Sequence, residues 1–132
     1  MITEVNIKEI EAKRAHKDLI ANMKFNINFD DVKVDKENVS VDFTFTTDYE
    51  GQESSKNIGK LEIKGNIVSK ESKKDADDIV SMWKEKKTLP INFAEDVINM
   101  LNFECGSRGT LVAYSMGFVA PLPLSRARLQ EK

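Results

Sequence analysis

Residues 39–49 read VSVDFTFTTDY. Val39, Val41, Phe43, Phe45 and Tyr49 hold the odd positions, opposite Ser40, Asp42, Thr44, Thr46 and Asp48. Successive side chains leave a pleated backbone on opposite sides, so this alternation predicts a strand with one dry and one wet face. The pattern recurs upstream in FNINF (25–29), where Phe25, Ile27 and Phe29 alternate with asparagines. DKEN (35–38) links the two runs with the Asp and Asn of a tight turn, which predicts an antiparallel pair. After Phe29 the apolar residues move to Val32 and Val34, with Asp30-Asp31 at the join. A bulge there would return the same face to the core.

Two further strands follow outward. LEIKGNI (61–67) alternates through Leu61, Ile63 and Ile67, with Gly65 on the same face, and EGQESSKN (50–57) before it reads as a loop. Near the start, Val5 and Ile7, then Ile10 and Ala12, make a fourth strand broken by another phase shift. A helix is the competing reading, but Glu11, Arg14 and Asp18 would interrupt its apolar stripe.

The period then changes. Ser72 followed by Asp75 resembles a capping box, and Asp75, Asp77 and Asp78 suit the positive end of a helix dipole. Ala76, Ile79, Val80 and Trp83 form one stripe, with Lys84, Lys86 and Lys87 near its end. Pro90 separates a second helix, whose stripe runs Ala94, Val97, Ile98, Leu101, Cys105, Val112 and Met116 and stops near Gly117. Strands first and two helices last is an α+β order: a four-stranded antiparallel sheet with the helices on its dry face. The reading divides the chain into one domain, 1–120, and a proline-containing tail, 121–132.

The segment FECGSRGTLVAYSMGFVAPLPL (103–124) contains no charge between Arg108 and the later Arg126. It is too short for the roughly 20 apolar residues of a membrane span, and Pro121 and Pro123 fall inside it. At about 100° per residue, Phe103, Ser107, Thr110, Tyr114 and Phe118 line up opposite the core stripe, with Gly106 and Gly109 between the rows. Such a helix is expected to touch something on both sides: the sheet on one, and on the other the tail, a second copy or a ligand. Arg108 projects near the core stripe and should snorkel or meet a carboxylate. In APLPLSRARLQEK (120–132), Leu122 and Leu124 could cover the aromatic row or dock on a neighbour, while Arg126 and Arg128 are too few for a basic stripe.

Composition narrows the function. In 132 residues, 20 basic side chains nearly cancel 22 acidic ones, for a net charge of −2, so no long-range field attracts nucleic acid. One cysteine, Cys105, excludes an intrachain disulfide and fits a reducing compartment. The N-terminus lacks a signal-peptide run, so the Asn38-Val39-Ser40 sequon is not expected to be glycosylated. His16 is the only histidine, which leaves no histidine pair for a metal, and Cys105 falls on a core stripe. Phosphate-loop, dinucleotide, zinc and nucleophile-elbow patterns are missing. The Asp30-Asp31 and Asp75/Asp77/Asp78 clusters have structural reasons in a bulge and a helix start. No enzyme, cofactor or metal is expected.

Four strands of a one-sided sheet, a helix, a proline-containing crossover (Thr88-Leu89-Pro90) and a long helix over 91–117 together resemble the SecB-like chaperones across residues 5–118. The resemblance implies a cytoplasmic, ATP-independent chaperone in export or general folding. It also implies assembly as a dimer of dimers and apolar grooves that hold unfolded polypeptides. It places Trp83, Leu89, Phe103, Tyr114 and Phe118 in such a groove or in the oligomer wall. The PLPLSRARL ending departs from the bacterial tails of that family and argues against docking to a translocation motor. The alternatives are an assembly subunit with one fixed partner, a chaperone dedicated to an antitoxin, and an enzyme built from carboxylates brought together in space.

Overall fold

The computed structural model describes residues 1–15, 19–53 and 57–117. Four strands come first: β1 (Ile2–Arg14), β2 (Ile20–Asp35), β3 (Asn38–Gly51) and β4 (Asn57–Lys70). Two helices follow, α1 (Lys73–Lys86) and α2 (Ile91–Ser115). The sheet is antiparallel throughout, in the order β1-β4-β3-β2. Residues 4–14 are therefore strand, not helix.

VSVDFTFTTDY lies on the central strand β3, and all five of its odd-numbered apolar residues are at most 1% exposed. Leu61, Ile63 and Ile67 of β4 join them at 0%. The phase shift after Phe29 is a break in the β2–β3 register between Phe29 and Asp31. The two acids stabilise it locally: Asp31 accepts from the Val32 N–H at 2.9 Å, and Asp30 accepts from the Thr44 hydroxyl at 2.6 Å. The shift in β1 is a second break, between Ile7 and Glu9 opposite β4.

The link between β2 and β3 needs only Lys36 and Glu37, with Lys36 at φ 58°. A left-handed backbone costs a side-chain-bearing residue about 1 kcal/mol, and glycine escapes that cost. Lys36→Gly is expected to raise unfolding stability by roughly that amount, read as a higher urea midpoint at unchanged slope; a lower midpoint would show that the turn relaxes otherwise.

Ser72 caps α1, its hydroxyl accepting from the Asp75 N–H at 3.2 Å. Ala76, Ile79 and Trp83 face the sheet. Lys87 ends the helix in a left-handed conformation, its N–H donating to the Trp83 carbonyl at 2.9 Å. Helix α1 packs toward β2, and α2 toward β1 and β4. Within α2 the buried line is Ala94, Val97, Leu101, Cys105, Gly106, Gly109 and Ala113. Ile98, Val112 and Met116, expected on the core stripe, are only half-buried. The seat of the helix passes through small residues because the bulk comes from the sheet: Tyr49, Ile58 and Leu61 form a second core cluster around Ala113.

Burial pushes both the Tyr49 phenol, ordinarily 10.0, and the Cys105 thiol, ordinarily 9.0, up to about 12. Between those limits the folded chain holds protons that the unfolded chain has lost, so stability falls as pH rises. The unfolding midpoint is expected to hold steady up to about pH 9 and then drop. Tyr49→Phe should flatten the part of the decline above pH 10, a difference that alkaline urea melts would measure.

Candidate functional site

The β4–α1 junction, the outer side of α1 and the first turns of α2 enclose a groove of about 650 Å³. Its apolar surface comes from Ile79, Met82, Pro90 and Phe93. Ile79 is buried while the other three are half-buried, so the groove is greasy at its base and open to solvent. Its rim carries five carboxylates, Glu71, Asp75, Asp78, Glu85 and Asp96, against the ammonium of Lys86. The local sequence accounts for this mixture. Helix α1 puts Ile79 inward and Met82 at the edge of the same side, and its aspartates crowd the N-terminal turns for the dipole. Pro90 then turns the chain so that Phe93 comes back toward Met82.

A second apolar surface runs along the solvent side of α2. Phe103 is 66% exposed, Leu111 79% and Tyr114 65%. Beside it, Arg108 donates to Glu104 across one helical turn at 3.1 Å, so the arginine meets a carboxylate as expected. The helix ends where Arg14 of β1 donates to the carbonyls of Met116 and Gly117 at 3.3 and 2.9 Å. A guanidinium at a helix C-terminus satisfies orphan carbonyls and opposes the negative end of the dipole.

The five residues placed in a groove or oligomer wall part company here. Phe103 and Tyr114 are on the surface. Trp83 is 7% exposed and Leu89 6%, both within the main core, which corrects the expectation that they present themselves to a partner. Trp83 lies on the inward stripe of α1, and the Lys87 ammonium sits over its ring at 5.4 Å from the centroid. Leu89 points into the sheet at the crossover. Phe118 lies outside the described residues, as do His16 and the tail. Leu111 was not assigned to the exposed row, although it lies eight residues beyond Phe103 and three before Tyr114. The groove pair Met82 and Phe93 was also missed; Met82, three residues after Ile79, was its one sequence signal.

The chemistry on offer is recognition by burial. Cys105 is fully buried with a thiol held neutral by its surroundings, so it does not act as a nucleophile at ordinary pH. Among the described residues no cluster of three His, Cys, Asp or Glu could hold a metal ion, and no helix is long and apolar enough to cross a membrane.

No protein-family model matches the chain, and no curated protein matches it in sequence. Among solved structures it is similar to the SecB-like chaperone Rv1957 of Mycobacterium tuberculosis, determined in complex with a ChAD peptide from the HigA1 antitoxin. The superposition has a TM-score of 0.55 at 10% identity, covering 100% of this chain and 91% of that one. A full-length match of this kind gives this chain, with its four antiparallel strands and two closing helices, the fold of the SecB-like chaperones.

Proposed function

We propose that the chain is an ATP-independent holdase that binds unfolded or extended polypeptides in the α1–α2 groove and along the exposed row of α2. The observation that carries this reading is the combination of an apolar groove with 66%, 79% and 65% exposed Phe103, Leu111 and Tyr114 on a SecB-like scaffold. Monomers seldom expose contiguous apolar surface of this kind without a partner. Clients are held mainly by burial of their apolar side chains, at about 25 cal/mol per Å² removed from water. An extended segment gains further main-chain hydrogen bonds if it adds to β1 or β2, the two sheet edges. Release follows from client folding or transfer and needs no nucleotide. The working assembly is a homo-oligomer, a dimer of dimers, in the cytoplasm, serving export or general folding.

Suppression of aggregation of an unrelated denatured protein tests the reading, with Phe103→Ser and Tyr114→Ser beside the wild type. Lost suppression at unchanged oligomer size assigns the row to clients, and a smaller oligomer assigns it to assembly. No suppression by the wild type at several-fold molar excess overturns the general holdase.

A second reading is favoured by the antitoxin peptide held by the structural neighbour. In it the same groove serves one dedicated protein, an antitoxin or another assembly partner. Native mass spectrometry from the source cell separates the two: one stoichiometric partner supports the dedicated role, and a heterogeneous client set supports the holdase.

A further inference from the structure

Helix α1 turns one side toward the groove. Asp78 and Ile79 stand one turn before Met82, Glu85 and Lys86 stand one turn after it, and all five line the groove. Residues three and four apart on a helix are surface neighbours, so Met82 occupies the centre of that side. Pro90 and Phe93 face it from the start of α2.

The chain has five methionines, and their surroundings differ. Met1 is 81% exposed, whereas Met23, Met82, Met100 and Met116 are half-buried. Met100 packs against the main core, and Met23 and Met116 pack against the second cluster. Among the described residues Met82 belongs to neither cluster and lines the groove instead. An unbranched, polarisable thioether adapts to irregular apolar partners, which suits a wall that meets varied client side chains. The same sulfur is open to oxidants, and oxidation makes a flexible apolar side chain polar.

We propose that Met82 is a reversible oxidation site through which a hydroperoxide weakens client binding in the groove. The inference rests on the reading that the groove holds clients. The sulfur lone pair attacks one peroxide oxygen, and the S–O bond forms as the O–O bond breaks. With hydrogen peroxide, the departing hydroxide takes the proton of the transferred oxygen and leaves as water. Sulfur loses two electrons, the peroxide gains them, and methionine sulfoxide remains. A thiol-dependent sulfoxide reductase reverses the step, two thiols becoming a disulfide as the oxygen leaves as water. The carboxylate rim disfavours anionic oxidants and admits a neutral hydroperoxide. A bound client would have to bury the sulfoxide oxygen among Ile79, Pro90 and Phe93, which offer it no side-chain donor. The row on α2 is built from Phe103, Leu111 and Tyr114, which carry no sulfur. One apolar surface therefore responds to peroxide and the other does not.

The test treats the full-length protein with graded hydrogen peroxide, removes the oxidant and follows two readouts. Peptide mass spectrometry should find Met82 sulfoxide forming about fivefold faster than the sulfoxides of Met23, Met100 and Met116, because exposure governs the rate. Binding is then titrated with a fluorescently labelled, carboxamidomethylated unfolded polypeptide, each variant being compared with its own untreated sample. Oxidised wild type should bind about tenfold more weakly, and sulfoxide reductase should restore the affinity. Met100→Leu should keep this sensitivity to peroxide, and Met82→Leu should lose it. An equal loss in Met82→Leu, or Met82 oxidising no faster than Met100, overturns the proposal and leaves the groove reading intact. A thermal midpoint that falls along with the affinity assigns the loss to unfolding and overturns it too. An untreated wild type that fails to bind the polypeptide overturns the groove reading itself, and the switch with it.

Discussion

Gly65→Ala is expected to lower unfolding stability by about 3 kcal/mol, the upper end of the usual range for overpacking a tight site. Gly65 sits in β4 opposite Ile7, beside the register break between Ile7 and Glu9 of β1. A methyl group added at Gly65 would fall on the Asn6 carbonyl oxygen, with the Asn6 carbonyl carbon at 3.0 Å and the Ile7 Cα at 3.1 Å. These are backbone atoms of a hydrogen-bonded strand and cannot swing aside as a side-chain end would. Relief requires β1 to move away from β4, which removes Ile2, Val5 and Ile7 from the core they pack against. Urea melts therefore carry two readouts. The midpoint falls, and the denaturant slope falls with it if β1 has already detached, since that surface no longer changes exposure on unfolding. Lys64→Thr, one residue earlier and exposed, should stay within about 0.5 kcal/mol of the wild type. An unchanged Gly65→Ala midpoint would mean that β1 and β4 do not pair as described.

Gly65 also marks what the sequence could disclose. The alternation in LEIKGNI placed it on the buried face, and the phase breaks at Phe29 and within 5–12 located two of the sheet's register breaks, because side-chain period is a local property of a strand. Strand order is not local. Nothing in VSVDFTFTTDY says that β4 lies between β3 and β1, so the close approach of Asn6 to Gly65 was invisible. The helix faces were legible in the first half of α2 but not the second. There the partner surface presents Tyr49, and the helix buries Gly106, Gly109 and Ala113 fully, while Val112 and Met116 pack against the same cluster only half-buried. Trp83 shows the same limit in reverse. It belongs to the stripe of Ala76 and Ile79, and an aromatic residue on an inward stripe is core, whatever a resemblance to a peptide-binding family implies for it. The groove escaped notice because Met82 and Phe93 come from different helices and meet only through the turn at Pro90.

Met82→Asp, alone and with Phe93→Ser, is expected to abolish most aggregation suppression, and more completely than Phe103→Ser with Tyr114→Ser. Met82 and Phe93 are both half-buried, leaving on the order of 100 Å² between them for a client to cover, or ~2.5 kcal/mol at ~25 cal/mol per Å². That corresponds to a loss of client affinity of roughly 50-fold. The row offers more apolar area, but on a single flat helix surface, whereas the groove surrounds a side chain with Ile79, Met82, Pro90 and Phe93. Met82 is the cleaner site, since Phe93 also packs against the main core; a thermal melt of each variant separates binding loss from unfolding. The rim adds a charge dependence that burial alone lacks. With five rim carboxylates against Lys86, of which Glu71 is already paired with the N-terminal ammonium at 3.0 Å, a peptide whose apolar residues are flanked by lysines should bind about tenfold tighter in low salt than its glutamate-flanked counterpart, as several exposed pairs of ~0.5 kcal/mol act together. That preference should shrink toward parity near 1 M salt, where the screening length is about 3 Å. A client affinity indifferent to Met82 and to flanking charge would move polypeptide binding out of the groove, onto α2 or the sheet edges.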